Sequence, residues 1–310
     1  MRIAILGAGG QGGYYGGMLA RAREDVTFIA RGKQLKAIKA NGLTVKPVSS
    51  AEFNIPVNAT DDPAEIGTVD FLMFCVKTYD TEAAAKSILP IVGSDTMITS
   101  VQNGVDSVDR IERLVGRGHF FAGASYLHSV LEKPGVIDVR NEGVTIFGER
   151  QGEVGPRLKQ WVKTLQNAGA KVELRSNILT HIWEKCVAFC AFASVEVLTR
   201  LPSGPVLACP ETKEMSVRAL REGMAVAEAT GVTLSEGFFD EILDFVTNKV
   251  PPTHRPSLYY DLINGKRLEL EALNGTIVRV GREHGIDTPM NFAIYAALKP
   301  YISGAPELPS

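Results

Sequence analysis

The stretch Ile3-Ala4-Ile5-Leu6-Gly7-Ala8-Gly9-Gly10-Gln11-Gly12 joins an apolar run to a glycine-rich turn near the start of the chain. A helical stretch follows, and then a second apolar run, Val26-Thr27-Phe28-Ile29. This order of strand, turn, helix and strand is typical of a dinucleotide-binding unit. In such a turn Gly7 permits the bend, Gly9 lets the backbone approach a pyrophosphate, and Gly12 lets the helix pack on the strand.

We therefore expect the whole turn, rather than single glycines within it, to hold the phosphates of a cofactor. The start of the following helix supplies unpaired N–H groups and a partial positive charge to those phosphates. The predicted cofactor-binding residues of the turn are Gly7, Ala8, Gly9, Gly10, Gln11 and Gly12.

The residue after the second strand indicates which dinucleotide binds. A unit selective for NAD carries an acidic residue about 20 positions after the turn, where it accepts hydrogen bonds from the ribose 2′-hydroxyl. This chain has Arg31 at that place. A guanidinium group pairs with a 2′-phosphate, which a carboxylate would repel, so we predict NADPH as the cofactor. A solvated loop arginine is the alternative interpretation.

Length and composition limit the classes of protein to which the chain can belong. A chain of 310 residues that is 45% hydrophobic is long enough for two domains with sizeable cores. A formal charge of -2 argues against a nucleic acid partner, since phosphate backbones require clustered positive charge. No uninterrupted apolar run reaches the roughly 18 residues of a membrane span, and the first strand follows Met1-Arg2 directly, so we expect a cytoplasmic protein without a membrane partner.

The cysteines and histidines do not have the spacing of metal ligands. The four cysteines form no paired C-x-x-C motifs, and the five histidines form no H-x-x-x-H pair on a helix. We therefore predict no metal site.

The order of apolar runs predicts an α/β protein with two domains. Through about residue 174, short strands alternate with helices, which calls for a mostly parallel, doubly wound Rossmann-type sheet covered on both faces. After about residue 175 the strand signals vanish, so we expect a dinucleotide-binding domain over 1–174 and an all-helical substrate domain over 175–310. Further strands are expected near 43–46, 70–76, 96–101, 121–126, 136–140, 144–148 and 171–174. Long helices are expected near 178–200, 211–230, 235–248, 268–284 and 288–303.

Two polar residues follow predicted strands, at the edge where doubly wound sheets bind ligands. Lys77 comes directly after the apolar run 71–76, and Asn103 follows the strand that ends near Ser100. The ammonium group suits a cofactor phosphate or ribose, and the amide suits the nicotinamide ribose or a substrate carbonyl. A surface lysine and an Asn-Gly turn remain the plain alternatives.

One charged residue stands out in the first helix of the second domain. From Cys186 to Val195 nearly every residue is apolar, and Lys185 comes immediately before that stretch. A charge in a buried stretch is costly unless it is paired or used. The alternative is that Lys185 extends its ammonium group to water from the end of a helix.

Taken together, these motifs resemble the ketopantoate reductase (2-dehydropantoate 2-reductase) family over nearly the whole chain. The helix lysine together with the late Glu and Asn-Gly is far more specific than the glycine turn. The agreeing residues are Gly7, Gly9, Gly12, Arg31, Val76-Lys77-Thr78, Gln102-Asn103-Gly104, Pro134-Gly135-Val136, Trp183-Glu184-Lys185, Ser257, Asp261 and Gly265-Lys266-Arg267-Leu268-Glu269-Leu270-Glu271-Ala272-Leu273-Asn274-Gly275.

The resemblance implies that NADPH reduces the C2 ketone of a 2-oxo acid and that Lys185 donates the proton to the forming alkoxide. A lysine with an ordinary pKa near 10.4 is charged at neutral pH and can stabilise that negative charge. By the same resemblance, Glu269 holds the ribose or the lysine, Asn103 positions the reacting centre, and Ser257 meets the substrate carboxylate.

Three positions depart from the family pattern. Family asparagines four and eight residues after the lysine are replaced by Phe189 and Ala193, and a third, three residues before the serine, is replaced by His254. These three positions stay among the predicted substrate contacts. A phenyl ring leaves a substrate hydroxyl unpaired, at a cost of roughly 1–3 kcal/mol. Our hypothesis is a 2-oxo acid bulkier or more apolar than ketopantoate, unless a register shift or other residues supply the contacts.

Two other functions fit the same residues. One is a dehydrogenase of the same plan that oxidises a 2- or 3-hydroxy acid, since Lys185 serves either direction. The other is a sensor that binds NADPH without turnover, although a sensor needs neither Lys185 nor Glu269. A homodimer through the helical domain is left open.

Overall fold

The chain divides into two compact units. The first comprises residues 1–102 and 106–178, and the second comprises Asn103–Val105 and the chain from Leu179 onward. The computed structural model describes residues 1–151 and 153–306, so the last four residues of the predicted second domain lie outside the described residues. The first unit is a mixed α/β domain and the second is helical, which confirms the predicted fold class.

The first unit is built on an eight-stranded sheet. Its strands are β1 (Arg2–Leu6), β2 (Asp25–Ile29), β5 (Asn58–Thr60), β6 (Phe71–Phe74), β7 (Met97–Ser100), β8 (His119–Ser125), β11 (Thr145–Gly148) and β12 (Val172–Leu174). They lie in the order β12-β11-β8-β7-β6-β1-β2-β5, and all neighbouring pairs are parallel except β8 and β11, which are antiparallel. The helices of this unit are α1 (Gly10–Arg21), α2 (Gly32–Asn41), α3 (Thr81–Ser87), α4 (Ser107–Val115) and α5 (Pro156–Asn167).

Both faces of this sheet are buried, as continuous apolar strands require. In β1, Ile3 and Ile5 belong to one apolar cluster, whereas Ala4 and Leu6 belong to another. Because side chains alternate along a strand, the two clusters lie on opposite faces. The carboxyl ends of β1, β6 and β7 are thereby fixed by packing on both sides.

A second sheet was not predicted. It has four strands in the order β4-β3-β10-β9, namely β3 (Leu43–Lys46), β4 (Phe53–Ile55), β9 (His128–Lys133) and β10 (Val136–Asn141). The runs at 43–46 and 136–140 are strands as expected, but they pair with each other rather than with the main sheet. Strand β9 ends in three exposed residues, so it has no apolar run that marks it as a strand.

In the second unit, every regular element within the described residues is helical. These helices are α6 (Ile178–Ala188), α7 (Ser194–Thr199), α8 (Ser203–Ala208), α9 (Pro210–Ala229), α10 (Phe238–Asp244), α11 (Ser257–Ile263), α12 (Asn274–His284) and α13 (Pro289–Leu298). Some predicted long helices are interrupted. A π-helical segment, Phe189–Ala193, separates α6 from α7, and α12 begins only at Asn274, after a 3-10 turn over Leu270–Ala272.

The helical stretch Ile178–Thr199 is, by length and composition alone, apolar enough to cross a membrane. However, 61% of its most apolar window is buried inside the protein. A core helix satisfies the same criteria, so this is weak evidence for a membrane span.

Candidate active site

Lys185, Asn103 and Glu269 form one hydrogen-bonded group within the helical unit. The Nζ of Lys185 donates to Oδ1 of Asn103 at 3.2 Å. The Nδ2 of Asn103 donates to Oε2 of Glu269 at 3.3 Å. These two bonds fix the orientation of the Asn103 amide, with its oxygen toward the ammonium group and its nitrogen toward the carboxylate.

Close backbone packing positions this group. Gly104 has a φ of +87°, and a Cβ there would lie 2.6 Å from the carbonyl oxygen of Ala272. Only glycine allows that approach, which brings Asn103 to the segment that carries Glu269. Val105 then packs against the apolar core of the helical unit. The Asn-Gly sequence is therefore part of the group's construction rather than a plain surface turn.

The pKa of Lys185 differs from the ordinary lysine value that the sequence led us to expect. Burial lowers the pKa of its ammonium group to about 8, and the charge of Glu269 partly opposes that shift. Desolvation disfavours the charged form, which explains the direction. The ammonium group is still mostly protonated at pH 7, and it releases its proton much more readily than a lysine in water.

In the first unit, the glycine-rich turn connects β1 to α1. Gly7 has a φ of +100°, and Gly9 is the N-cap of α1. A Cβ on Gly12 would lie 1.9 Å from the carbonyl oxygen of Gly7, and one on Gly10 would lie 2.1 Å from that of Ser129. By contrast, apart from Gly9 itself and its neighbours along the chain, no atom of the described residues lies within 4 Å of a Cβ placed on Gly9. The open side of the turn therefore lies at Gly9, where a pyrophosphate would need to approach.

Side chains hold the shape of this turn. Gln34 donates to the carbonyl of Ala8 at 2.6 Å and accepts from the N–H of Gly135 at 2.8 Å. Gln11 donates to the carbonyl of Leu127 at 3.2 Å. Gln34 was missed by sequence reasoning, because a glutamine in a surface helix gives no signal until the hairpin that carries Gly135 packs beside it.

The two basic residues predicted for the cofactor lie at element ends. Arg31 is exposed and is the N-cap of α2, while Lys77 is partly buried and precedes a 3-10 turn after β6. Gln102, which carried no assigned role, donates to the carbonyl of Val76 at 3.0 Å and to the hydroxyl of Thr81 at 2.9 Å. It therefore fixes the backbone just before Lys77.

The π-helical segment changes the face on which two predicted substrate residues lie. Phe189 is partly buried and Ala193 is buried with 8% exposure. A π turn is equivalent to one residue inserted into an α-helix, which rotates later residues by about 100°. In an unbroken α-helix Ala193 would lie about 80° away from the face of Lys185, and the π turn reduces this to roughly 20°. The helix predicted near 178–200 is therefore present as one helical stretch, Ile178–Thr199, with a π turn inside it, and the shared face is retained.

The remaining predicted substrate residues lie around the start of α11. Ser257 is the first residue of that helix and is partly buried. His254 precedes it, with Nδ1 3.6 Å from Oε2 of Glu196. Sequence reasoning missed Glu196, which looks like an isolated charge after an apolar run. Within residues 1–151 and 153–306, no group of His, Cys, Asp or Glu could hold a metal ion.

Comparison with known proteins places the chain among oxidoreductases. The family model described as ketopantoate reductase PanE/ApbA matches residues 3–152, and the corresponding C-terminal model matches residues 177–302. The 2-dehydropantoate 2-reductase of Archaeoglobus fulgidus is 30% identical over 303 residues, covering 98% of each chain. That of Pyrococcus horikoshii is 28% identical over 299 residues, covering 96% of this chain and 97% of its own.

Solved structures of such enzymes are also similar to this chain. A PanE/ApbA family ketopantoate reductase from Ralstonia eutropha superposes with a TM-score of 0.90 at 31% identity, covering 97% of this chain and 98% of its own. A D-mandelate dehydrogenase, solved with NADH and anilino(oxo)acetate, has a TM-score of 0.89 at 22% identity and covers 97% and 98% of the two chains. At that identity it shows the shared fold alone.

Proposed function

The chain belongs to the ketopantoate reductase PanE/ApbA family of oxidoreductases, and on that premise we propose that it reduces the C2 ketone of a 2-oxo acid with NADPH. The substrate we propose is 2-dehydropantoate (ketopantoate), which would yield pantoate, or a close and more apolar analogue. The family's chemistry uses a nicotinamide dinucleotide, and the choice of NADPH over NADH is part of the proposal.

The observation that carries the proposal is the hydrogen-bonded group of Lys185, Asn103 and Glu269. Reduction of a ketone creates negative charge on its oxygen, and a nearby ammonium group stabilises that charge and supplies the proton. With its pKa lowered to about 8 by burial, Lys185 is protonated at neutral pH and gives up its proton readily. Glu269 lies near enough for its charge to favour the protonated form, and Asn103 holds the ammonium group in place.

The residues of the first unit fit a dinucleotide. The turn from Gly7 to Gly12 would hold the pyrophosphate, with the open position at Gly9 facing it and the start of α1 supplying N–H groups. Arg31 would pair with the 2′-phosphate and Lys77 with a phosphate or ribose. When bound, NADPH supplies the hydride that is added to C2. We assign cofactor binding to the unit of 1–102 and 106–178 and proton donation to the helical unit.

The test is loss of NADPH absorbance with a panel of 2-oxo acids graded by size and polarity. Lys185→Ala should lower kcat by orders of magnitude while leaving the Kd of NADPH nearly unchanged, because the lysine acts on the ketone oxygen. Wild-type turnover in that variant would remove Lys185 from the mechanism. No NADPH oxidation with any 2-oxo acid would favour a sensor, and faster NADP-dependent oxidation of hydroxy acids would favour a dehydrogenase. The homodimer stays a prediction, which light scattering would test.

A further inference from the structure

The four-stranded sheet packs against the glycine-rich turn and supports it from one side. A Cβ on Gly10 would lie 2.1 Å from the carbonyl oxygen of Ser129, in β9, so backbone meets backbone at this point. Gln11 donates to the carbonyl of Leu127, just before the same strand, at 3.2 Å. Both contacts lie in the first turn of α1, whose N–H groups would face a pyrophosphate. The second sheet therefore lies where it can brace the turn.

Gln34 joins the same sheet to the turn itself. It lies in the first turn of α2, and its Nε2 donates to the carbonyl of Ala8 at 2.6 Å. Its Oε1 accepts from the N–H of Gly135 at 2.8 Å. Gly135 lies between β9 and β10, and its own carbonyl accepts from the N–H of Thr44, in β3, at 2.8 Å. One side-chain amide thus connects the turn to the second sheet.

Close packing keeps α2 beside the hairpin of β9 and β10. A Cβ on Gly135 would lie 3.3 Å from the Cβ of Ala37, which is one helical turn after Gln34. Gly135 also has a φ of +82°, a conformation that favours glycine. The distance that the Gln34 amide spans is therefore set by the backbone on both sides of it.

The bond to Ala8 orients the peptide group that precedes α1. The peptide between Ala8 and Gly9 is trans, so its C=O and N–H point in opposite directions. By holding the carbonyl of Ala8, Gln34 also fixes the direction of the Gly9 N–H. Gly9 is the N-cap of α1, at the open side of the turn. A phosphate site needs such a fixed direction, because hydrogen bonds weaken steeply as they become bent.

Arg31, by contrast, does not depend on the Gln34 side chain. Its carbonyl accepts from the N–H of Leu35 at 3.3 Å, within α2. The preceding residue, Ala30, donates its N–H to the carbonyl of Thr60 at 2.9 Å, next to β5. The helix and the main sheet thus hold the backbone of Arg31, so loss of the Gln34 amide should disturb the turn and leave Arg31 in place.

We propose that Gln34 is a positioning residue that, braced by the second sheet, holds the turn from Gly7 to Gly12 in the form that binds the cofactor's pyrophosphate. This inference rests on the proposed binding of NADPH. Gln34 acts through the carbonyl of Ala8 and needs no contact with the cofactor. Its loss should weaken a ligand that carries a pyrophosphate and spare a ligand that reaches Arg31 alone.

The experiment measures two Kd values by calorimetry in the full-length protein. One ligand is NADPH, and the other is adenosine 2′-monophosphate, which has the 2′-phosphate but no pyrophosphate. Gln34→Met keeps the length and helix propensity of the side chain and removes both hydrogen bonds. The Kd of NADPH should rise about tenfold, the effect of one hydrogen bond to a charged group. The Kd of adenosine 2′-monophosphate should be nearly unchanged.

The ratio of the two Kd values separates positioning from stability. Partial unfolding lowers the fraction of competent protein and raises both Kd values by the same factor. Gln166 provides the matched control, because it lies in α5 of the same unit and its Nε2 donates to the carbonyl of Val172 at 3.0 Å. Gln166→Met should leave the ratio at its wild-type value. If Gln34→Met leaves the Kd of NADPH unchanged, or raises both Kd values equally, the inference is wrong.

The same measurements distinguish this inference from the proposed function. If the wild-type protein binds NADPH but reduces no 2-oxo acid, the proposed reduction is wrong, and a selective loss in Gln34→Met still supports the inference. If it reduces a 2-oxo acid and Gln34→Met binds NADPH as wild type does, the inference alone is overturned. Absence of NADPH and NADH binding in the wild type overturns both.

Discussion

Asn274 should be one of the most stability-critical polar residues of the helical unit. It is fully buried at the start of α12. Its Oδ1 accepts from the hydroxyl of Ser194 at 2.7 Å, and its Nδ2 donates to the carbonyl of Cys190 at 3.1 Å and to Oδ1 of Asn291 at 3.0 Å. Cys190 lies in the π-helical segment, where i→i+4 pairing is interrupted. Asn274 therefore stabilises the π turn directly.

The hydrogen bonds of Asn274 indicate how much stability each variant should lose and which variant should lose more. Asn274→Ala removes three buried hydrogen bonds, and each buried group left unpaired costs about 1–3 kcal/mol. The Ser194 hydroxyl can turn to the carbonyl of Cys190, four residues earlier, which compensates part of the loss. We expect a decrease of about 2–4 kcal/mol in the free energy of unfolding. Asn274→Asp should cost more, despite its similar shape, because it places a buried carboxylate oxygen against two carbonyl oxygens.

Urea unfolding followed by tryptophan fluorescence can measure this in the helical unit alone. The chain has two tryptophans, so in a Trp161→Phe background Trp183 reports on the helical unit. Asn264→Ala is the control, because the Asn264 amide also bonds to a backbone carbonyl but is exposed, and it should change stability by less than about 0.5 kcal/mol. A loss below about 1 kcal/mol for Asn274→Ala, or an Asp variant more stable than the Ala variant, would refute the reasoning.

Four further predictions concern the proton donor and the cofactor-binding unit. Because burial lowers the pKa of Lys185 to about 8 and the protonated form is the donor, kcat/KM for reduction should fall as pH rises through about 8; a profile flat to pH 10 would contradict this. Arg31→Asp should reverse the ratio of kcat/KM from NADPH toward NADH, and unchanged discrimination would remove the assignment. Gly9→Ala should weaken NADPH binding with little change in thermal stability, because its Cβ meets no described atom within 4 Å apart from its neighbours along the chain. Gly12→Ala should destabilise the first unit itself, because its Cβ would lie 1.9 Å from a carbonyl oxygen.

The parts of the fold that follow from local pattern were predictable from the sequence. Strands such as β1 and β6 are continuous apolar runs because both of their faces are buried, and burial on both faces leaves a clear signal. The second sheet leaves a much weaker signal in the sequence. Its strands are short and partly exposed, and β3 and β10 pair in parallel across about ninety residues of chain, so their partnership depends on tertiary contacts rather than on local sequence.

The candidate site likewise contains residues that the sequence signals and residues that only the structure shows. Lys185 was singled out as a charge beside an apolar stretch, and Asn103 as a polar residue that follows a strand. In the structure Asn103 is bonded both to Lys185 and to Glu269. Glu196 gave no such signal. Its significance depends on His254, 58 positions away, which comes within 3.6 Å only after α7 and the segment before α11 have packed. Pairs of this kind require coordinates.

The hypothesis of a more apolar substrate rests on the helix face that carries Lys185. The replacement of family asparagines by Phe189 and Ala193 favours an apolar substrate if these side chains face it. The π turn keeps Ala193 within roughly 20° of Lys185, whereas Glu196, three residues further on, lies about 80° away from that face. The polar side chain of Glu196 therefore does not replace the missing asparagines. A pair of 2-oxo acids that differ by one hydroxyl group tests the hypothesis, because an apolar pocket leaves that hydroxyl unpaired.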